Sequence, residues 1–375
     1  MTPRLRVGVI YASFLLTGVG VAVLGAALPA MLREWHLTDR TGGLLLFSSF
    51  AGSTSGVLLA AIAPGVMAGV GISASAIAAV LLSRPSPPVL APLFLLYGVG
   101  LGTTMTSISV LRSREVPPSE TSLELSRLNL IWATGACVAP ALALHSVRLF
   151  SVGALFTVIA LAFALGAVGL FFGNFRSSGV TRAVSARSLP RGRFAPARMC
   201  IFAAAAVGLE SALGSWLTAY TERRGHGAGI AVTANSAFWA GLLLSRAVHS
   251  FRVGRRLHSP VGFVIHLASL TAAMILLVGA PVPALLPISG FLAGFGLGPL
   301  YPLVLSWSLP RYRSSAVFML AGAGASILPW LTGVLSTAFG SLRAGLLAPC
   351  VTVLILLAAA SSMKREVMEP AELPA

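Results

Sequence analysis

The chain has 375 residues, of which 56% are hydrophobic and only 10% are charged, and its formal net charge at pH 7 is +16. Soluble domains carry about 25% charged residues, so this composition excludes a soluble globular protein. A charge of this size is also found in nucleic-acid-binding proteins. Here, however, the Arg residues lie mainly between apolar runs, where a membrane topology accounts for them. We therefore expect a membrane-embedded chain with no nucleic-acid partner.

Apolar runs of about 20 residues or more, the length that spans a bilayer, follow one another along the whole chain. There are twelve, at about 7–31, 42–62, 64–83, 89–111, 121–146, 150–173, 197–221, 229–250, 260–280, 284–308, 314–338 and 342–363. A lipid-exposed backbone must satisfy its own hydrogen bonds, so these runs predict helices rather than open strands. The sequence therefore predicts an all-α membrane protein with twelve transmembrane helices.

Two glycine-containing motifs each occur twice in the same order. GVGLG at residues 98–102 recurs as GFGLG at 294–298, and GACVAP at 135–140 recurs as GASILP at 324–329. The offsets are 196 and 189 residues, close to half the chain length. In an apolar chain, parallel repeats of this kind predict two similar six-helix units and are typical of transporters.

The repeat and the basic residues together predict the domain organisation and the topology. We expect an N-terminal six-helix bundle at 1–173, a basic cytoplasmic linker at 174–196, a C-terminal bundle at 197–363 and a tail at 364–375. If the N-terminus is cytoplasmic, most of the 26 Lys and Arg residues fall on the cytoplasmic side. The prediction is a multi-pass protein of the inner membrane with both termini in the cytoplasm and membrane lipid as a partner.

Four short segments carry a resemblance to a known family. They are GAALPAML at 25–32, Glu210 through Trp216 with Tyr220, FWAGLLLSR at 238–246 and LGPLYP at 297–302. With the twelve helices, the six-plus-six repeat and the basic central loop, they make the chain resemble the major facilitator superfamily over its whole length. Within that superfamily it looks most similar to the branch of fucose and related sugar permeases. The resemblance implies the major facilitator fold, a small-molecule substrate, a monomer and no cofactor.

The chain departs from that family at two places. The loop at residues 61–65 has none of the charged residues that many members carry between the second and third helices. The first and fourth runs also lack the acidic residues that proton-coupled sugar permeases of the branch carry there. The resemblance therefore leaves open whether protons, another ion or no ion drive transport.

Glu210 is the only acidic residue near the middle of a predicted helix. A charge within the membrane is costly and tends to be functional. Gly214 lies one turn further along and leaves room beside the carboxylate. Either Glu210 accepts a proton or binds substrate, or it is a structural carboxyl that bonds to a neighbouring helix. If transport is proton-driven, Glu210 is the residue we expect to carry the proton.

Three other charged residues are candidates for gating. Glu124 and Arg127 are three positions apart at the start of the fifth run and so share a helix face. They could form an inner gate that breaks as the two halves move, or they could anchor the helix end at the membrane surface. Arg246, near the end of the eighth run, is the third candidate.

Three predicted helices carry a polar residue three or four positions before a tryptophan: Asn129 with Trp132, Asn235 with Trp239, and Ser326 with Trp330. An amide binds hydroxyl groups and an indole covers the apolar face of a sugar. In the resembling family, a polar residue six positions before the glycine of the fifth helix contacts sugar, and Asn129 stands six before Gly135. The alternative is that these residues pack between helices. The candidate substrate-binding residues are Asn129, Trp132, Asn235, Trp239, Tyr301 and Trp330.

Three classes of function remain for such a chain. The first is a secondary transporter that moves a small polar solute such as a sugar by alternating access. The second is a drug or metabolite efflux antiporter of the same fold. The third, a membrane enzyme or a receptor that does not transport, lacks any catalytic constellation in the sequence. The six His residues show no metal-ligand spacing, so we expect no metal and no enzyme activity.

Overall fold

The computed structural model describes residues 2–60, 62–117, 119–173, 197–250, 260–279, 282–308 and 315–362. The predicted linker at 174–196 and tail at 364–375 lie outside these residues. Within them, every regular element is a helix. The α-helices are α1 (Pro3–Glu34), α2 (Asp39–Ala60), α3 (Pro64–Leu82), α4 (Leu90–Glu115), α5 (Thr121–Leu149), α6 (Val152–Phe172), α7 (Ala197–Arg223), α8 (Ala228–Ser250), α9 (Pro260–Gly279), α10 (Leu285–Leu297), α11 (Leu300–Ser308), α12 (Ser315–Ala338), α13 (Leu342–Gly345) and α14 (Leu347–Ser362).

Twelve helical segments are long and apolar enough to cross a membrane, which confirms the twelve predicted helices. Two of them each comprise two α-helices. The tenth span, Leu285–Leu305, joins α10 to α11, and the twelfth, Leu342–Ser361, joins α13 to α14. The all-helical fold with its twelve spans agrees with the fold class that the sequence predicts.

The break between α10 and α11 follows from Pro299. Proline has no N–H group, and its ring crowds the carbonyl four residues earlier, which here belongs to Phe295. That carbonyl still needs a partner inside an apolar bundle. Nδ1 of His266, on α9, lies 3.2 Å from it and donates in the tautomer that carries a proton on Nδ1.

We call helices α1–α6 the first half and helices α7–α14 the second half. In the first half α4 packs on α2 and α3, and α1 packs on α5. In the second half α10 packs on α8 and α9, and α7 packs on α12. The halves meet where α1 contacts α7, α2 contacts α12 and α5 contacts α8. The same pairing is thus repeated within each half.

The repeated glycines lie at equivalent contacts. A side chain on Gly98 would collide with the main-chain carbonyl of Ser49 on α2, and one on Gly294 would collide with the carbonyl of Phe238 on α8. The two contacts are related by the same offsets as the sequence repeats. Because lipid provides no hydrophobic drive for helix association, such close backbone approach supplies the packing energy.

The two ends of the bundle are distinguished by the helices that begin at each of them. We call the end at which α1 and α5 begin the basic end, because Arg4, Arg6, Arg112 and Arg114 lie there. The end at which α1 finishes and α2 begins is the opposite end. Functional side chains below are located by these two names.

We expect Gly98→Ala and Gly294→Ala to destabilise the protein by similar amounts, on the order of 2 kcal/mol each, because both methyl groups would overlap a main-chain carbonyl. The measurement is thermal unfolding of the purified protein in detergent. The control is Gly8→Ala, since a methyl group at Gly8 meets no atom within 4 Å. Equal melting temperatures for Gly98→Ala and Gly8→Ala would contradict the close approach.

Candidate functional site: a cavity between the halves

A cavity of about 160 Å³ lies between the two halves. Its walls come from α1, α2, α4 and α5 of the first half and from α7, α8 and α12 of the second. The lining residues are Val21, Leu24, Ser49, Phe50, Ser53, Leu101, Met105, Trp132, Val207, Glu210, Ser211, Gly214, Ser215, Trp239 and Ala325. Movement of one half against the other would therefore change the shape of the cavity.

Glu210 is the only acidic side chain among the described residues that line the cavity. It is held by Arg246 of α8, whose Nη2 donates to Oε2 at 3.0 Å and to Oε1 at 3.2 Å. Each of the two side chains is 16% exposed. The carboxylate is thus charge-paired within the second half and still borders the cavity. The sequence offered a functional and a structural role for Glu210, and its position is compatible with both.

Arg246 is positioned by a helix irregularity. Pro302 has no N–H group, so the carbonyl of Gly298, four residues earlier, lacks its helical donor. Nε of Arg246 donates to this carbonyl at 3.3 Å. The guanidinium also lies 6.0 Å from the centre of the Trp132 ring, which belongs to the first half. Of the three gating candidates, Arg246 is the one shown in contact with the other half.

Trp132 and Trp239 form an aromatic pair across the boundary between the halves. Their ring centres are 5.7 Å apart at an interplanar angle of 77°. Both indole Nε1 atoms are buried and have no hydrogen-bond partner among the described residues. Buried N–H groups normally find an acceptor. These two tryptophans, both predicted from the sequence to bind substrate, line the cavity.

Serine hydroxyls add polar character to the cavity. Ser211 donates to the carbonyl of Ala325 at 2.9 Å, a carbonyl that Pro329 deprives of its helical donor. Ser49, Ser53 and Ser215 also line the cavity. Their hydroxyls make no hydrogen bond to any described residue, so they can bind a solute or water. Sequence analysis missed all four, because serine is common in membrane helices and usually bonds to its own backbone.

The two predicted asparagine ligands lie elsewhere. Asn235 is completely buried, and its Nδ2 donates to Gly214 O at 3.0 Å and to Thr218 Oγ1 at 2.8 Å. Asn129 is exposed, and its Nδ2 donates to Leu125 O of its own helix at 3.0 Å. Neither residue lines the cavity. Asn235 thus ties α8 to α7.

Tyr301 and Trp330 are also absent from the cavity wall. Both are half-buried. Trp330 packs against Phe47 of the first half, with ring centres 6.4 Å apart. Their predicted contact with substrate stays a prediction.

Glu124 lies in a polar cluster within the first half. It is 2% exposed. Its Oε1 accepts hydrogen bonds from Arg112 Nε and from the Tyr11 hydroxyl, both at 2.8 Å, whereas Arg127 is 3.6 Å from Oε2. The cluster joins α1, α4 and α5. This geometry fits the anchoring interpretation of Glu124 and Arg127, with Arg112 and Tyr11 as the partners that sequence analysis missed.

Ion pairs join the two halves at the opposite end. Asp39, at the start of α2, accepts two hydrogen bonds from the Arg223 guanidinium of α7, one of them at 2.6 Å, and a third from Ser336 of α12. Arg33 of α1 pairs with Glu222 of α7 at 2.8 Å. Among the ion pairs between described residues, these two alone join the halves.

Twelve membrane-spanning segments around a central cavity define a multi-pass membrane transporter. The family model described as Major Facilitator Superfamily matches residues 10–313, and the chain belongs to this superfamily. No curated protein matches the chain in sequence.

Solved structures of transporters share the fold. A POT family transporter in complex with 5-aminolevulinic acid has a TM-score of 0.74 at 14% identity, over 96% of each chain. A D-xylose–proton symporter has a TM-score of 0.65 at 15% identity, over 94% of this chain and 95% of that chain. A bacterial homologue of the human lysosomal transporter Spinster, inward-facing and unoccupied, has a TM-score of 0.68 at 16% identity, over 98% of each chain. At these identities the likeness shows the fold alone.

We expect Arg112→Met to destabilise the protein by roughly 3 kcal/mol, because it removes the main counter-charge of a buried carboxylate. Thermal unfolding in detergent measures the loss. The double variant Arg112→Met/Glu124→Leu should recover most of it, since no buried charge then remains. A double variant that is less stable than Arg112→Met would show that Glu124 has another structural role.

We expect Asp39→Asn to shift the protein towards a state that is open at the opposite end, because the Arg223 pair is weakened. Spin labels at Phe150 and Phe339, both exposed near that end, report the separation of the halves by double electron–electron resonance. An interaction on the order of 1 kcal/mol changes the ratio of the two populations about fivefold. The control Arg127→Gln, within the first half, should leave the distances unchanged. Unchanged distances in Asp39→Asn would contradict a gate at this end.

Proposed function

We propose that the protein is a secondary transporter that moves a small solute through the central cavity by alternating access. The observation that carries the proposal is the cavity itself, which is lined by both halves and borders one charge-paired carboxylate. The halves, with the bounds predicted from the sequence, would rock about the contacts of α1 with α7, α2 with α12 and α5 with α8. The inter-half ion pairs would break when the opposite end opens.

The membrane orientation is part of the same proposal. Both ends carry described Arg residues, but most of the 26 Lys and Arg residues of the sequence fall on the side of the N-terminus, and the positive-inside rule assigns that side to the cytoplasm. Both termini would then be cytoplasmic in an inner membrane. The ion pairs of Asp39 and Arg33 would close the outer mouth, so the structure corresponds to a state closed to the outside.

Glu210 is the proposed proton site. The charged and titratable groups near it are Arg246 of α8, which bonds to it, and Tyr301 of α11, which lies within electrostatic range. Protonation would remove the charge that holds Arg246. Arg246 also contacts Trp132 of the other half. A change in the protonation state of Glu210 would therefore alter a contact between the halves through the side chain of Arg246.

Two classes of solute are candidates for this cavity. A sugar, in line with the resemblance to fucose permeases, is supported by the paired indoles and the free hydroxyls of Ser49, Ser53 and Ser215. The two asparagines on which that reading also rested lie away from the cavity. Efflux of a less polar drug or metabolite is the second candidate, and the mainly apolar wall of the cavity favours it.

We expect Glu210→Gln to exchange an uncharged solute across the membrane but to lose accumulation, because glutamine resembles the protonated carboxyl and cannot release a proton. The assay is uptake into proteoliposomes under an imposed pH gradient. Labelled D-xylose serves as the hydroxylated probe and labelled tetramethylammonium as a membrane-impermeant cation. The ratio of internal to external probe should fall to about one in the variant.

The matched control is Glu120→Gln, which makes the same chemical change at an exposed residue at the start of α5. It should accumulate probe like the wild type. Accumulation by Glu210→Gln would show that Glu210 is structural. Wild-type uptake that ignores the pH gradient would instead indicate uniport or another coupling ion. Uptake of neither probe by the wild type would show that both proposed solutes are wrong. The spin-label distances between the two halves would then test alternating access separately.

A further inference from the structure

We propose that the cavity selects a small organic cation, with an ammonium group placed against Glu210 and an apolar or aromatic body placed beside Trp132 and Trp239. This inference rests on the proposed function, because it names the substrate class of the same cavity. It differs from the sugar that the sequence resemblance implies.

The first support is the composition of the wall. Ten of the fifteen lining residues are aliphatic, aromatic or glycine, namely Val21, Leu24, Phe50, Leu101, Met105, Trp132, Val207, Gly214, Trp239 and Ala325. Of the polar five, four are serines and one is Glu210. No described asparagine or glutamine lines the cavity, whereas a sugar is usually bound by several planar polar groups. The wall suits a solute with a large apolar part and one charged group.

The second support is the sign of the charge that faces the cavity. Glu210 lines it, whereas Arg246 is not among the described residues that line it. The pair is neutral overall, but only its negative member lines the cavity. In a site of low dielectric constant this orientation attracts a cation and repels an anion.

Glu210 also has acceptor capacity left. A carboxylate offers about four lone-pair sites, and Arg246 donates one hydrogen bond to each oxygen. Two sites therefore remain for the N–H groups of an ammonium. Arg246 in turn has the carbonyl of Gly298 and the ring of Trp132 as further partners for its positive charge. The carboxylate can thus be shared by two cations.

The two indoles complete the site for the apolar or aromatic body of the solute. Offset and edge-to-face contacts between aromatic rings are favourable. Trp132 and Trp239 meet edge to face at 5.7 Å, so they present surfaces at an angle rather than one flat wall. Gly214 makes this possible, because a side chain there would press against the Trp239 ring. The serine hydroxyls are left to bind any oxygen that the solute carries.

The test is isothermal titration calorimetry of the purified full-length protein in detergent with four probes. Benzylamine, benzyl alcohol and benzoate share one ring and differ in charge, and D-xylose is the hydroxylated probe. We expect benzylamine to bind at least about tenfold more tightly than the other three, because a charge pair lost from a buried site costs this much or more. Glu210→Gln should weaken benzylamine binding at least about tenfold and leave benzyl alcohol unchanged.

Two further variants keep the test decisive. Glu210→Asp retains the negative charge and should retain the preference for benzylamine over benzyl alcohol, even if Glu210→Gln does not fold. Glu120→Gln should bind all probes like the wild type. The proposal is overturned by tighter binding of benzoate or D-xylose, by no binding of benzylamine, or by equal affinity for amine and alcohol. Binding of benzylamine without uptake of any cation in proteoliposomes would leave the inferred site intact and would count against transport.

Discussion

The structure depends on the need of every main-chain polar group in the bilayer to find a partner within the protein. Prolines in α10–α12 withdraw the helical donor from three carbonyls, those of Phe295, Gly298 and Ala325. Side chains from neighbouring helices replace it: His266, Arg246 and Ser211. In each case a defect in one helix fixes a polar side chain of another helix at a defined place.

Two of these three replacements lie at the cavity. Ser211 lines it, and Arg246 holds the carboxylate of Glu210 that lines it. The polar part of the site is therefore built on the irregular backbone of the second half. The first half contributes mainly Trp132 and apolar or hydroxyl side chains. The two halves share a pattern of helix packing, but they differ in chemistry where they face each other.

The sequence predicted the fold well because its signals are local or repeated. Helix number follows from the length of the apolar runs, and equivalent glycine contacts follow from the repeat. The placement of Asn235 and Trp239 on one side of α8 was also recognisable from helical spacing. The helix that this side of α8 contacts could not be predicted, because the contact depends on the position of α7. The same applies to Glu124, whose main partners, Arg112 and Tyr11, come from distant parts of the chain.

The charged contacts at the opposite end have a physiological consequence. Arg33 and Arg223 are 64% and 45% exposed in their ion pairs, so dissolved salt reaches and screens them. Elsewhere the halves meet largely through small residues and aromatic rings, whose contacts depend little on salt. The salt concentration at this end would therefore shift the balance between halves that are joined there and halves that are separated, with no change in the protein itself.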